Sequence, residues 1–273
     1  MKGLRFVKMH GLGNDFLVTD SFRQRVELSA GDIARLADRH TGVGFDQLLL
    51  LEPDPASDVD ARYRIFNADG SAAGHCGNGA RCAGVYLRRQ GLVERDRMVL
   101  QLQQGRIGLR VEDDTVSVNM GRPDFRPRSL PVACDGDMLH CPLLPEAPPA
   151  GLVSVGNPHA VLAVDDVAQA PVAQWGPAIQ ALPRFPQGVN VGFMQRCSDG
   201  LIRLRVYERG AGETRACGTG ACAAVAVGRR RGLLGERVRV QLPGGELTIH
   251  WPGPEQDLWM SGPAAWVYEG RLP

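Results

Sequence analysis

The chain has 273 residues, 44% of them hydrophobic and 22% charged, with a formal net charge of +1. That length suits one or two domains with cores of their own, and the near-neutral balance gives no footprint for nucleic acid or an acidic membrane surface. No run approaches the roughly 18 apolar residues of a spanning helix, and MKGLRFVKMHGLGND lacks the apolar centre of a signal peptide, so a cytoplasmic protein is expected.

In chain order, the first clear signal is YRIFNADG (63–70), which alternates polar and apolar residues and stops at Gly: a half-buried strand and its turn. CGNGARC (76–82) then opens a helix whose apolar positions 80, 83, 84 and 87 share one face, with Gly91 as its C-cap. Short strands are expected in MVLQLQQ (98–104), IGLRVE (107–112) and VSVNM (116–120). The segment 122–151 is rich in proline and marks a boundary with irregular structure.

The same signals then come again. LRVYERG (204–210) reads as a strand, and Cys217 opens a helix with Ala221, Ala224 and Val225 on one face, ending at Gly232. RVRVQLP (237–243), ELTIHW (246–251) and DLWMSG (257–262) read as strands, and the tail AAWVYEGRLP (264–273) as one more.

This is a duplication. With residues 62–92 laid over 203–233, Arg62, Arg64, Cys76, Gly77, Gly79, Ala80, Ala83, Arg88, Arg89, Gly91 and Leu92 all meet identical residues, eleven of 31. Chance gives roughly two to four. Fainter matches keep the order: QLQQGRIGLRV (101–111) with QLPGGELTIHW (241–251), MGRP (120–123) with MSGP (260–263), Gly13-Asn14 with Gly156-Asn157, and Gln47 with Asn190. The expected architecture is α+β: a lobe over 1–122 and a lobe over 123–263, related by a pseudo-twofold axis. Each is expected to be a mostly antiparallel sheet around a central helix, with the active site in the cleft between them.

Seven cysteines stand at 76, 82, 134, 141, 197, 217 and 222, and an odd count in such a chain argues against a disulfide framework. Their spacings are not those of a structural zinc site, and no metal is expected. Cys82, Cys134, Cys141, Cys197 and Cys222 read as small hydrophobes. Cys76 and Cys217 differ, because duplication kept each inside the same glycine frame at a helix start. There the helix dipole is expected to lower a thiol pKa from about 8.5 towards neutrality, and the exposed amides can grip an anion. Neither loop ends in the Gly-Lys-[Ser/Thr] of a phosphate-binding P-loop. Two thiols on opposite sides of a carbon next to a carboxylate can remove a proton from one face and return one to the other. That is racemisation or epimerisation without a cofactor. A thiol–disulfide switch between the two cysteines is the competing reading, and His75 stands where it can perturb Cys76.

GLGNDF (11–16), FNADGS (66–71), CGNGARC (76–82), GNPH (156–159), GVN (188–190), YERG (207–210) and ACGTGACA (216–223) span the chain. Together they resemble the diaminopimelate epimerase family. The resemblance implies that Cys76 and Cys217 are the acid/base pair interconverting LL- and meso-diaminopimelate. It implies that the amides of Gly77, Asn78, Gly218 and Thr219 hold the reacting carboxylate, and that Asn14, Gln47, Asn67, Asn157, Asn190, Glu208 and Arg209 read the rest of the substrate. His159 and Glu208 would support the cysteines, the 264–273 tail would return to the first lobe, and the family suggests a homodimer. The polar set suits a substrate with two ammonium and two carboxylate groups: Arg209 can take the distal carboxylate as a fork and Glu208 can accept from an ammonium. The alternatives are a racemase or dehydratase of the proline racemase type and a redox-sensing or amino-acid-binding module.

Overall fold

The computed structural model describes residues 3–74, 76–103, 105–130, 132 and 136–273. Cys134 and His75, with the effect on Cys76 expected of the latter, lie outside these. The chain forms two compact units, Met1–Val118 with Ser261–Pro273, and Asn119–Met260.

The first unit begins with β1 (Arg5–Gly11) and β2 (Asn14–Asp20), a hairpin in which Gly11 pairs with Asn14. Helix α1 (Ala30–Ala37) follows, started by a capping box between Ser29 and Asp32. Then come β3 (Gln47–Glu52), β4 (Ala61–Asn67), the short β5 (Ala72–Ala73) and α2 (Gly77–Arg89). β6 (Arg97–Gln101), β7 (Arg106–Glu112) and β8 (Thr115–Asn119) complete it. β2–β3 and β4–β6 are parallel, and β1–β2, β3–β4, β4–β5, β6–β7 and β7–β8 antiparallel.

The second unit repeats this order. β9 (Ala150–Ser154) and β10 (Pro158–Ala163) pair antiparallel, α3 (Val172–Gln180) follows, and β11 (Asn190–Ser198) lies parallel to β10. β12 (Leu201–Glu208), β13 (Gly212–Thr214), α4 (Gly218–Arg230), β14 (Arg237–Leu242) and β15 (Gly245–His250) take the places of β4, β5, α2, β6 and β7. The parallel pairing recurs too, β12 with β14. This is the α+β, mostly antiparallel architecture expected, with one order of elements repeated in the two units. The chain then passes through β16 (Trp259–Pro263) into β17 (Ala265–Arg271), which lies antiparallel to β1. The first unit ends at Val118 and resumes at Ser261, where the repeats drew the lines at 122 and 264. Ser117 and Ser261 share a hydrogen bond of 2.7 Å, and Ala264 N–H donates to Asp114 O, so the strand residues just before the tail belong with the first sheet.

Each sheet curls around its Cys-headed helix. In α2 every residue from Gly77 to Leu87 is buried, and the helix lies on β1, β2, β3 and β7. In α4 all but Thr219 are buried from Gly218 to Gly228, and the helix lies on β9, β10, β11, β12 and β15. An alanine- and glycine-rich composition lets the strands approach on all sides, so a helix with little apolar bulk is still a core element. Gly91 and Gly232 sit one residue beyond the caps, which are Gln90 and Arg231, in the left-handed conformation. Outer helices α1 and α3 carry an apolar face onto the other side of each sheet: Ile33, Leu36 and Ala37 meet Phe6, Leu17, Leu48 and Leu50 in the first unit. Among the described residues, no helix is long and apolar enough to cross a membrane.

Candidate active site

Both cysteines are N-caps. Cys76 and Cys217 have extended backbones, and each side chain accepts from the third residue of its helix: Gly79 N–H donates to Cys76 Sγ at 3.3 Å and Gly220 N–H to Cys217 Sγ at 3.4 Å. This is the geometry of a Ser or Asp cap with sulfur in place of oxygen. Two glycines are required. A Cβ on Gly79 would lie 2.4 Å from Tyr63 Oη, and one on Gly220 would lie 2.9 Å from Val206 Cγ2 and 3.2 Å from the Cys217 sulfur. First-turn amides point out of a helix end, those of Gly77 and Asn78 in α2 and of Gly218 and Thr219 in α4 among them.

In the first unit Cys76 is half-buried. Its S–H donates to Asn14 Oδ1 at 3.9 Å, and the same oxygen accepts from Asn78 Nδ2 at 3.4 Å. Tyr63 Oη donates to the Cys76 carbonyl at 3.4 Å. Gln47 and Asn67 face each other across β3 and β4, and Gln47 Nε2 donates to Asn67 Oδ1 at 3.0 Å. Asn67 in turn donates to Ser71 Oγ at 3.0 Å.

In the second unit Cys217 is buried, with 4% of its surface exposed. Its S–H donates to Glu208 Oε2 at 3.1 Å, and Thr219 Oγ1 lies 3.5 Å from the sulfur. The other Glu208 oxygen accepts from the Thr214 hydroxyl. Burial, and then the negative charge of Glu208, push the Cys217 thiol up. This corrects the expectation of a lowered thiol: the Gly220 amide does act downward, but one helix end is weaker than full burial beside a carboxylate.

A hydrogen-bonded string continues from Thr219. Asn157 Nδ2 donates to Thr219 Oγ1 at 3.4 Å, and His159 Nε2 lies 2.9 Å from Asn157 Oδ1. An amide oxygen only accepts, so the imidazole proton sits on Nε2 and Nδ1 presents a lone pair. His159 is fully buried, and its Nδ1 has no hydrogen-bond partner among the described residues. Burial, and then the charge of Arg209, lower its pKa to about 3, so the ring is neutral. Asn190 is spent inside the unit: it donates to Pro158 O at 3.1 Å and accepts from Arg209 N–H at 2.9 Å. Arg209 Nη1 donates to Gln187 O at 2.8 Å.

The repeat-equivalent pairs occupy equivalent positions. Asn14 and Asn157 each follow a glycine with positive φ, 87° at Gly13 and 91° at Gly156. Gln47 and Asn190 begin β3 and β11, and Asn67 and Glu208 end β4 and β12. Two partners escaped the sequence reading. Thr214 lies in GET (212–214), and Asp46, which accepts from Asn14 Nδ2 at 2.8 Å, stands next to Gln47. Only the duplication frame could have drawn attention to Thr214, and no pattern marks Asp46. Of the other cysteines, Cys82, Cys141 and Cys222 are buried, and burial pushes the Cys82 thiol up to about 12. Cys197, read as a small hydrophobe, is exposed, because it lies near the end of β11 beyond the buried stretch. Among the described residues, no group of three or more His, Cys, Asp or Glu is placed to hold a metal ion.

Residues 6–126 and 151–267 match the family model described as diaminopimelate epimerase. The fold is similar to that of a phenazine biosynthesis protein of the PhzF family from Bacillus anthracis, 15% identical, covering 100% of both chains with a TM-score of 0.71. It is also similar to a probable proline racemase from Agrobacterium radiobacter with bound carbonate, 18% identical over 99% of this chain and 93% of that one, TM-score 0.69. A hydroxyproline epimerase from Agrobacterium vitis with bound trans-4-hydroxy-L-proline is 17% identical over 99% and 92% of the chains, TM-score 0.69. At these identities the likeness is one of fold.

Proposed function

Because the chain belongs to the diaminopimelate epimerase family, we propose that it interconverts LL- and meso-2,6-diaminopimelate, with Cys76 and Cys217 as the acid/base pair. The observation that carries this reading is the matched capping: two sulfurs, each accepting an amide N–H at the head of a 13-residue helix, in the same frame of glycines. A duplicated site suits a reaction that is the same in both directions.

In this reaction one sulfur, as thiolate, takes the hydrogen from the α-carbon. The C–H bond breaks, an S–H bond forms, and the electron pair stays on the α-carbon and its carboxylate. The other thiol gives its proton to the opposite face, and the two sulfurs exchange roles. No atom is gained or lost, and no cofactor takes part. The helix-head amides would stabilise the charge gathering on the carboxylate, where donors act most strongly on the transition state. Cys217, buried as a thiol against Glu208, suits the proton-giving role in the form described here, and Cys76 would act as the base after releasing its own proton to solvent. Glu208 and Arg209, beside neutral amides at Asn14, Asn67 and Asn157, support a substrate with two ammonium and two carboxylate groups over a cyclic imino acid.

The test is incubation of LL-diaminopimelate in deuterated water under reducing conditions. Deuterium is expected at one α-carbon as the meso isomer appears, and Cys76→Ala or Cys217→Ala should each stop epimerisation. Full turnover by either variant would overturn the two-base reading. Preference for a cyclic imino acid would overturn the substrate, and tight binding with no proton exchange would leave a binding module.

A further inference from the structure

Asn14 belongs to a charged cluster that the reaction does not use directly. Lys8 of β1 pairs with Asp15 of β2 at 2.5 Å and also donates to Gly44 O. Arg39 places Nη1 3.0 Å from Asp15 Oδ2, and Nη2 2.8 Å from both Asp15 Oδ1 and Asp46 Oδ1. Asp15 N–H donates to Asp46 Oδ2 at 3.1 Å, and Asp46 N–H returns a bond to Asp15 Oδ1 at 3.0 Å. Two cations and two carboxylates thus close on each other. Burial pushes the Asp15 carboxyl up, but its bonds to Arg39 and Lys8 more than reverse this and keep it ionised.

The second job of Asp46 Oδ2 is to accept from Asn14 Nδ2 at 2.8 Å. A carboxylate can only accept, so it dictates which end of the Asn14 amide faces it. The NH₂ end is bound to Asp46, and the oxygen end is left facing Cys76 Sγ and Asn78 Nδ2. An acceptor beside sulfur favours the thiol, whereas a donor favours the thiolate. We propose that Asp46 is a positioning residue, which sets the polarity of the Asn14 amide and so holds the proton on Cys76 until substrate arrives.

Asn78 Nδ2, donating to Asn14 Oδ1 at 3.4 Å, favours the same orientation from the other end over a longer bond, and the remaining groups act around this point without choosing it. Among the described residues, Tyr63 of β4 and Cys82 of α2 both interact electrostatically with Cys76. His10 of β1 accepts from Gly13 N–H at 3.4 Å and braces the hairpin turn. The charge of Asp46 is paired with Arg39 at 2.8 Å, while Lys8 pairs with Asp15.

The proposal deepens the reading of Cys76 as an acid/base group, but its test needs no turnover. The rate of Cys76 alkylation by iodoacetamide, followed on its peptide by mass spectrometry across pH, reports the thiolate in the free enzyme. In Asp46→Asn the retained oxygen is drawn to Arg39, the charged donor, which puts the new NH₂ in the Oδ2 place to donate to Asn14 Oδ1, so the Asn14 amide turns and gives an N–H to sulfur. The alkylation midpoint is expected to fall by about one pH unit. In an Asn14→Ala background, Asp46→Asn should leave the midpoint where Asn14→Ala puts it. An unchanged midpoint in Asp46→Asn would overturn the proposal. So would an equal fall in the Asn14→Ala background, since a simple charge effect persists without the amide. If Asp46→Asn does not fold, Asp46→Glu and Asp46→Ser carry the comparison. Glu keeps the acceptor and should leave the midpoint, and Ser, able to donate, should lower it; the same midpoint in both would count against the idea. A shifted midpoint in an enzyme inactive on diaminopimelate would sink the substrate and leave the role of Asp46 standing.

Discussion

Cys217 donates its thiol hydrogen to Glu208 Oε2 across 3.1 Å, while Thr214 holds the other carboxylate oxygen. The carboxylate therefore acts on the thiol in two ways, as an acceptor and as a negative charge, and both keep the proton on sulfur. Glu208→Gln removes the charge, so the Cys217 thiol pKa should fall. Its alkylation at pH 8 should quicken by about tenfold, since one pH unit is a factor of ten in thiolate. Turnover should fall by about 10²-fold or more, the usual scale for a lost acid/base partner. An alkylation rate that stays put would show that burial alone sets the thiol.

The neutral, buried His159 makes the second unit sensitive to acid. Its pKa is about 3 in the folded chain and about 6.5 when unfolded. A lowered folded pKa means that its share of stability is present above about 6.5 and is lost as the pH falls towards 3. One proton taken up on unfolding gives a slope of about 1.4 kcal/mol per pH unit in that window. Urea unfolding at pH 7, 5 and 4 should therefore steepen in the wild type and be flatter in His159→Gln. Equal acid lability in both would assign the effect to other groups.

Gly79→Ala and Gly220→Ala should separate stability from chemistry. The first forces a methyl to 2.4 Å from Tyr63 Oη inside a filled core, at a cost of about 1–3 kcal/mol. The second presses on Val206 and on the Cys217 sulfur itself, at 3.2 Å, so turnover should suffer more than melting. Gly74→Ala is the control, with nothing within 4 Å of the added carbon. Thermal melts and steady-state rates on the three variants check this ordering.

Asn190 is expected to matter to the fold before it matters to a ligand. Removing its side chain takes away the amide that donates to the Pro158 carbonyl and accepts from Arg209 N–H, at a position only 4% exposed. Asn190→Ala should lower stability by about 1–3 kcal/mol in the absence of substrate. A melting temperature equal to wild type, with a raised KM, would instead make it a ligand contact alone.

Much of this was legible because the duplication is written in residue types that local geometry demands. Cys-Gly-x-Gly-Ala places a capping side chain, a first turn free of bulk and a helix start in one stretch, so Cys76 and Cys217 could be located from sequence. The strands of each repeat alternate, and their order followed. The outer helices α1 and α3 were not read, although SAGD (29–32) holds a capping box, because each is short and neither belongs to the repeated glycine frame.

The sequence by itself determined the two-fold plan, the matched cysteine caps and the polar residues at repeat-equivalent places, since these depend on neighbours a few residues apart. Tertiary structure alone decided the electrostatic state of the Cys217 sulfur and the orientation of the Asn14 amide. Glu208 reaches Cys217, and Asp46 reaches Asn14, through strand register and a loop 32 residues away. Desolvation, set by everything that surrounds a group, outweighs the helix end that the sequence displays, and it turns a thiol expected to be acidic into one that keeps its proton.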